Sequence, residues 1–268
     1  MSYGLSGVSL RLDGTLALDH VSFQCELGRT LAVVGGDGAG KTTALRTLVG
    51  IVPVTDGTVQ RPERQGIGFV PARAGVYDDL TVDENIAFVA AVYGMTDAQR
   101  QQRARHVLER TNLGDMGGRL VGALSGGMRR KLAVGLALLH EPQLLVIDEP
   151  TTGVDPRSRV EIWRLLAAAA AGGAAVVLST AYLDEAERCG SVVILDSGRV
   201  RRAGTPDSVR ASVEGVIVES VLRPETVRRW QRGARWRAWY PDSAPKGTTR
   251  IAPDLEDAVI VAALQDER

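Results

Sequence analysis

The segment GGDGAGKT, Gly35–Thr42, carries the most specific chemistry in the chain. It fits the pattern G-x-x-x-x-G-K-[S/T]. A short apolar run, Thr30–Val34, precedes it and a helical pattern, Thr43–Val49, follows it, which is the strand–loop–helix setting that pattern requires. Glycines let backbone N–H groups turn inward around phosphate oxygens. The helix N-terminus adds partial positive charge. Lys41 can reach terminal phosphates and Thr42 can offer a hydroxyl to Mg²⁺. Gly35, Gly36, Asp37, Gly38, Ala39, Gly40, Lys41, Thr42 and Thr43 are therefore candidate nucleotide contacts. A second stretch, LLVIDE (Leu144–Glu149), sets two acids at the end of a buried-strand pattern. Asp148 can bind Mg²⁺, usually through water, and Glu149 can polarise a water for in-line attack. Between them, LSGGM (Leu124–Met128) opens a helix with a serine and two glycines, another anion-binding N-terminus.

These groups need strands and helices to aim them. Val8–Leu12 and Leu16–Phe23 read as antiparallel strands around Asp13-Gly14. Thr30–Val34, Ile67–Val70, Leu144–Ile147 and Ala174–Ser179 are short apolar runs of the kind buried parallel strands show. Helical periodicity runs over Val82–Leu113, Gly127–His140 and Pro156–Ala171, with a shorter helix over Leu183–Arg188. Val192–Leu195 and Arg199–Ala203 form a hairpin pattern around Asp196-Ser197-Gly198. Strands alternating with helices predict an α/β fold with a mainly parallel sheet. After Pro206 the character changes. Val216–Ser220 reads as a strand, and Pro224–Tyr240 is rich in arginine and holds Trp230, Trp236 and Trp239. A small α+β appendage over 208–268 follows, its tryptophans expected to pack a small core beneath a solvated arginine face.

Composition sets outer bounds. The chain has 268 residues, 32 Lys+Arg against 32 Asp+Glu, and so no net charge to draw a polyanion. No nucleic-acid partner is expected. Cys25 and Cys189 are too few for a disulfide framework and fit a reducing compartment. The N-terminus lacks an apolar signal core. The longest apolar run, Leu165–Leu178, is broken by Gly172-Gly173 and is shorter than a membrane span needs. A soluble protein is expected, with any membrane link made through a partner.

Taken in order, these motifs resemble the nucleotide-binding subunits of ABC transporters. GGDGAGKTT is similar to Walker A, LLVIDEP to Walker B, LSGGMRRKLAVGLALLHEP to the signature helix and TTGVDP (Thr151–Pro156, with Asp155) to the D-loop. The resemblance runs from about Val8 to Pro206. YDDLTVDENIAF and APDLEDAVIVAAL narrow it to the ATPases of ABC-2 type exporters. DGAGKTT, LSGGM and STAYLDEAE are most similar to the degenerate first half of tandem two-ATPase subunits. The resemblance implies a P-loop NTPase core over 1–207, with an antiparallel β subdomain and a helical subdomain at about 77–122. It also implies a head-to-tail dimer with a second ABC ATPase domain, as a hetero- or homodimer or within one longer chain. ATP and Mg²⁺ would be the ligands, Thr42 and Asp148 the metal contacts and Glu149 the catalytic base. Leu124, Ser125, Gly126, Gly127 and Met128 would act on ATP held by the partner. The site would be cytoplasmic, peripheral on the inner face of the membrane through an ABC-2 type permease.

Three positions depart from that family's pattern. The aromatic residue that stacks on adenine is Leu12 here, the glutamine that follows the strand GFVP is Ala72, and the switch histidine is Ala181. Asp37 replaces an asparagine. Each lost acid–base or electrostatic group typically costs roughly 10²–10⁴ in rate. The expectation is a site that binds MgATP and hydrolyses it weakly, beside an intact signature. A nucleotide-sensing regulatory module without a transport role is the alternative. A factor acting on DNA or ribosomes usually needs two such domains or a large insertion.

Overall fold

The computed structural model describes residues 1–73 and 75–265, so the last three positions of the expected 208–268 unit lie outside the described residues. An antiparallel sheet comes first: β1 (Ser2–Leu12), β2 (Thr15–Glu26) and β4 (Asp56–Gln60), in the order β2-β1-β4. The β1–β2 hairpin turns on Asp13 and Gly14, both at positive φ, the two-residue turn that matches strand twist. Both strands are longer than alternation predicts, and β4, with only five residues and three of them exposed, was not anticipated.

The six-stranded sheet has the order β5-β6-β7-β3-β8-β9. Its members are β3 (Thr30–Val34), β5 (Ile67–Val70), β6 (Leu144–Asp148), β7 (Ala175–Thr180), β8 (Ser191–Asp196) and β9 (Arg199–Gly204). All pairings are parallel except β8–β9. Alternate residues of each central strand serve opposite cores. Ala32, Val34, Leu145, Ile147, Val176 and Leu178 pack under α4 (Gly126–Leu138) and α5 (Pro156–Ala171). Leu31, Val33, Leu144, Val146, Ala175 and Val177 pack with α1 (Lys41–Leu48) and the antiparallel sheet. Burial on both faces explains why these strands read as unbroken apolar runs.

The helical stretch predicted over Val82–Leu113 is two helices, α2 (Val82–Val92) and α3 (Asp97–Thr111). The break falls at Gly94, φ 65°, and each helix starts with a capping box, Thr81/Glu84 and Thr96/Gln99. Local capping overrides the continuous periodicity. The predicted helix over Leu183–Arg188 is a single turn, α6 (Leu183–Ala186).

After α7 (Pro206–Ala211) come β10 (Val216–Ser220), β11 (Arg229–Arg232), β12 (Arg235–Tyr240) and β13 (Thr249–Ile251), arranged β11-β12-β10-β13, then α8 (Leu255–Leu264). The arginine- and tryptophan-rich stretch is thus an antiparallel hairpin. Trp239 is buried with Ile217 and Val261, and Arg228 stacks over its ring at 5.4 Å. Arg237 bonds Asp254 and Asp257 at 2.7 Å. The segment is not a detached lobe, because Leu255, Ala258 and Ala262 of α8 join the same core as α5 and β7.

Candidate functional site

Gly35–Gly40 turns between β3 and α1. Gly38 (φ 78°) and Gly40 (φ 99°, capping α1) adopt left-handed conformations that side chains resist. A Cβ on Gly40 would also lie 3.0 Å from the Ala17 carbonyl. Lys41 is 7% exposed, and its Nζ donates to the carbonyls of Gly35 (2.9 Å) and Gly36 (3.0 Å). Nζ also lies 3.9 Å from Glu149 Oε1, so the loop cation and the β6 carboxylate face one another.

A cleft of about 640 Å³ opens over this pair. Gly36–Thr43 and Glu149 form its base, and Leu12, Leu16 and Ala17 form an apolar wall. Leu12 and Leu16 are 40% and 39% exposed. The Ser197-Gly198 turn closes a further side; Gly198 N–H donates to the Ala39 carbonyl at 3.0 Å. Leu12 was foreseen in this wall. Leu16, Ala17 and the β8–β9 turn were not, although the Asp196-Ser197-Gly198 signal was visible.

Glu149 has a φ of 51°, uncommon for a residue with a side chain. Several contacts hold it there. Its N–H donates to Ser179 Oγ at 3.0 Å, and Thr152 Oγ1 donates to its Oε2 at 2.8 Å. Ser179 Oγ donates in turn to Asp148 Oδ1 at 2.5 Å, where β6 and β7 pair. Arg130, from α4, is 8% exposed and donates to four backbone carbonyls: Pro71 (2.6 Å), Asp148, Glu149 (2.8 Å) and Pro150 (3.0 Å). Burial lowers its pKa from the usual guanidinium range, and the charges of Asp148 and Glu149 oppose that. Sequence reasoning missed Arg130, because a charge one turn into a helix ordinarily marks a solvated face.

The other predicted residues lie elsewhere. Ser125 caps α4 and accepts the Met128 N–H at 3.2 Å. None of Leu124–Met128 lines the cleft. Gly127 packs so closely on the start of α5 that a Cβ would lie 2.6 Å from Asp155 Oδ2. Asp155 caps α5, and the Ser158 N–H it accepts at 3.0 Å holds its carboxyl below the ordinary range. Ala72 and Ala181 are exposed and do not line the cleft. Ala181 instead borders a separate cavity of about 370 Å³ shared with Tyr182, Arg232, Asp254 and Glu256. β7 does end beside β3, with Thr180 paired to Val34, but a methyl group at 181 has no reach.

Cys25 and Cys189 are buried free thiols, which desolvation pushes up to about 12. Among the described residues no cluster of three or more His, Cys, Asp or Glu could hold a metal ion. One hydroxyl (Thr42) at the cleft and one buried carboxylate (Asp148) behind it fit an ion shared with phosphates and water, the usual Mg²⁺ arrangement.

Comparison with known proteins agrees with this geometry. A family model described as "ABC transporter" matches residues 18–152. The probable multidrug ABC transporter ATP-binding protein YbhF of Escherichia coli (strain K12) is 36% identical over 79% of this chain, which spans only 39% of that protein. The Nod factor export ATP-binding protein I of Burkholderia pseudomallei is 34% identical over 82% of this chain and 76% of its own length. The daunorubicin/doxorubicin resistance ATP-binding protein DrrA of Streptomyces peucetius is 32% identical over 98% of this chain and 81% of its own. A solved ATP-binding subunit of an ABC transporter superposes with a TM-score of 0.73 at 29% identity, covering 79% of this chain and 92% of that one. The fold, the phosphate loop facing Glu149 and these likenesses together place the chain in the ABC transporter ATP-binding family, among the P-loop NTPases.

Proposed function

We propose that this chain is the ATP-binding subunit that energises an ABC-2 type export complex, holding MgATP in its own cleft with weak hydrolysis and lending its signature to a partner's ATP. The observation that carries the reading is the pairing of a complete phosphate loop with short side chains. Lys41 faces Glu149 at 3.9 Å, yet positions 72 and 181 carry only methyl groups. In this reading Gly35–Thr43 bind the phosphates and Leu12 and Leu16 contact the adenine. Thr42 and Asp148 would hold a Mg²⁺ ion, which screens phosphate charge when bound. Glu149 polarises the attacking water. With neither glutamine nor histidine to orient that water, turnover is slow. Ser125, capping α4 outside the chain's own cleft, is free to face a second ATPase domain.

No helix among the described residues is long and apolar enough to cross a membrane. We propose that the chain sits at the cytoplasmic face of a membrane, docked on a permease through the helical region at about 77–122. The exporter relatives named above support that assignment, and we take residues 1–207 as the ATPase unit, against whose core Leu255, Ala258 and Ala262 of the 208–268 unit pack.

The test uses the purified chain alone. It should bind MgATP, lose binding in Lys41→Ala, and turn over slowly. Brisk Glu149-dependent hydrolysis by the lone chain would overturn the weak-site reading, and absence of nucleotide binding would overturn the cleft assignment itself.

A further inference from the structure

Glu185 has no place in the site just described, yet it is fully buried. Its two carboxylate oxygens are taken by two buried threonine hydroxyls. Thr151 Oγ1 donates to Oε1, and Thr180 Oγ1 donates to Oε2 at 2.6 Å. Thr180 Oγ1 also accepts the Tyr182 N–H at 2.9 Å, which folds the chain around Ala181. Among the described residues no cation pairs with Glu185. A buried carboxylate is costly unless its lone pairs are met, so these two hydroxyls are demanded by it, and the segments that carry them are fixed to one another.

Those segments are the two that leave the sheet beside the cleft. Thr180 is the last residue of β7, paired to Val34 at the foot of the phosphate loop. Thr151 follows Glu149-Pro150 and opens the loop that ends on Asp155, the cap of α5. That cap sits hard against the signature turn, where a Cβ on Gly127 would lie 2.5 Å from Ser158 Oγ and 2.6 Å from Asp155 Oδ2. A route therefore runs from the end of β7 through Glu185 to Thr151, along the 151–155 loop, where the Val154 N–H donates to the Thr151 carbonyl at 3.1 Å, to Gly127, two residues from Ser125.

We propose that Glu185 is a positioning residue that locks the β7 end to the 151–155 loop, so that nucleotide in the chain's own cleft alters how Ser125 is presented. The second clause rests on the MgATP reading above; the lock itself does not.

Backbone hydrogen exchange in the full chain tests both, at concentrations where sedimentation shows a monomer. Without nucleotide, Glu185→Ala should speed exchange across 151–155 and 125–128 by roughly tenfold, the loss of one or two hydrogen bonds to a charge. Exchange in α1 should stay at the wild-type rate. Thr151→Val, which keeps the shape and removes one hydroxyl, should do the same more weakly, and Glu185→Gln, able to accept from one threonine and donate to the other, should restore the wild-type pattern. Acceleration confined to 180–187 overturns the lock. With MgADP, wild type should change its exchange at 125–128, whereas Glu185→Ala should bind MgADP with unaltered affinity and show no such change. A wild-type response surviving in Glu185→Ala overturns the transmission. A wild-type chain that binds no nucleotide overturns the cleft reading instead, and the nucleotide-free comparison still decides the lock.

Discussion

His140 has one ring nitrogen satisfied and one orphaned. Its Nε2 meets the Ile67 carbonyl at 3.1 Å, which fixes the proton on that nitrogen, and buried Nδ1 has no partner. The ring stacks on Tyr93 at 3.6 Å. Burial drives its pKa down to about 4, with Arg103 pushing the same way. The unfolded chain, near 6.5, therefore binds more protons between those values, and stability falls as pH drops from about 6.5 to about 4. His140 should contribute about 1 kcal/mol to the difference between urea titrations at pH 7 and pH 5, an amount already reduced for partial exposure, and His140→Gln should flatten that slope. At the cleft wall, Leu12→Tyr should restore an aromatic face for adenine and tighten MgATP binding about fivefold or more, seen in a fluorescent-nucleotide titration. Only one of these two residue effects was legible in the sequence. A lone histidine at a helix end gives no sign of its stacking partner, whereas the leucine was legible from its spacing to Val21–Phe23.

Among the elements, α4 does more than carry the Ser125 cap, since Arg130 pins the ends of β5 and β6. Lysine cannot imitate this, being a point charge without a planar fork. Arg130→Lys should cost about 2–3 kcal/mol in a denaturant midpoint analysis and lower ATP hydrolysis in the assembled complex. The elements were legible to different degrees, for physical reasons. Strands buried on both faces and the Pro156–Ala171 helix announce themselves through unbroken apolar runs and a proline start. β4, β11 and β13 do not, because exposed edge strands of three to five residues carry no apolar period. The Tyr93–Thr96 break was written in the capping residues but masked by the helical period on either side.

At the scale of the whole molecule, α8 makes the C-terminal segment a structural partner of the ATPase core. Leu255 is 1% exposed in the core shared with α5 and β7. Leu255→Ala should cost about 2–4 kcal/mol. Unfolding should remain a single transition, reported alike by Trp163 in α5 and Trp239 in β12; two separated transitions would show the units to be independent. The arginine clamp has one more consequence on this scale. Arg130 donates only to peptide carbonyls, so its hydrogen bonds do not depend on which side chain follows Pro71, while the charges of Asp148 and Glu149 favour its cationic form. Architecture and reactivity are thereby uncoupled. A lineage could change the residue after Pro71 and inherit the same framework, which leaves room for a catalyst to drift into a receptor without passing through an unfolded ancestor.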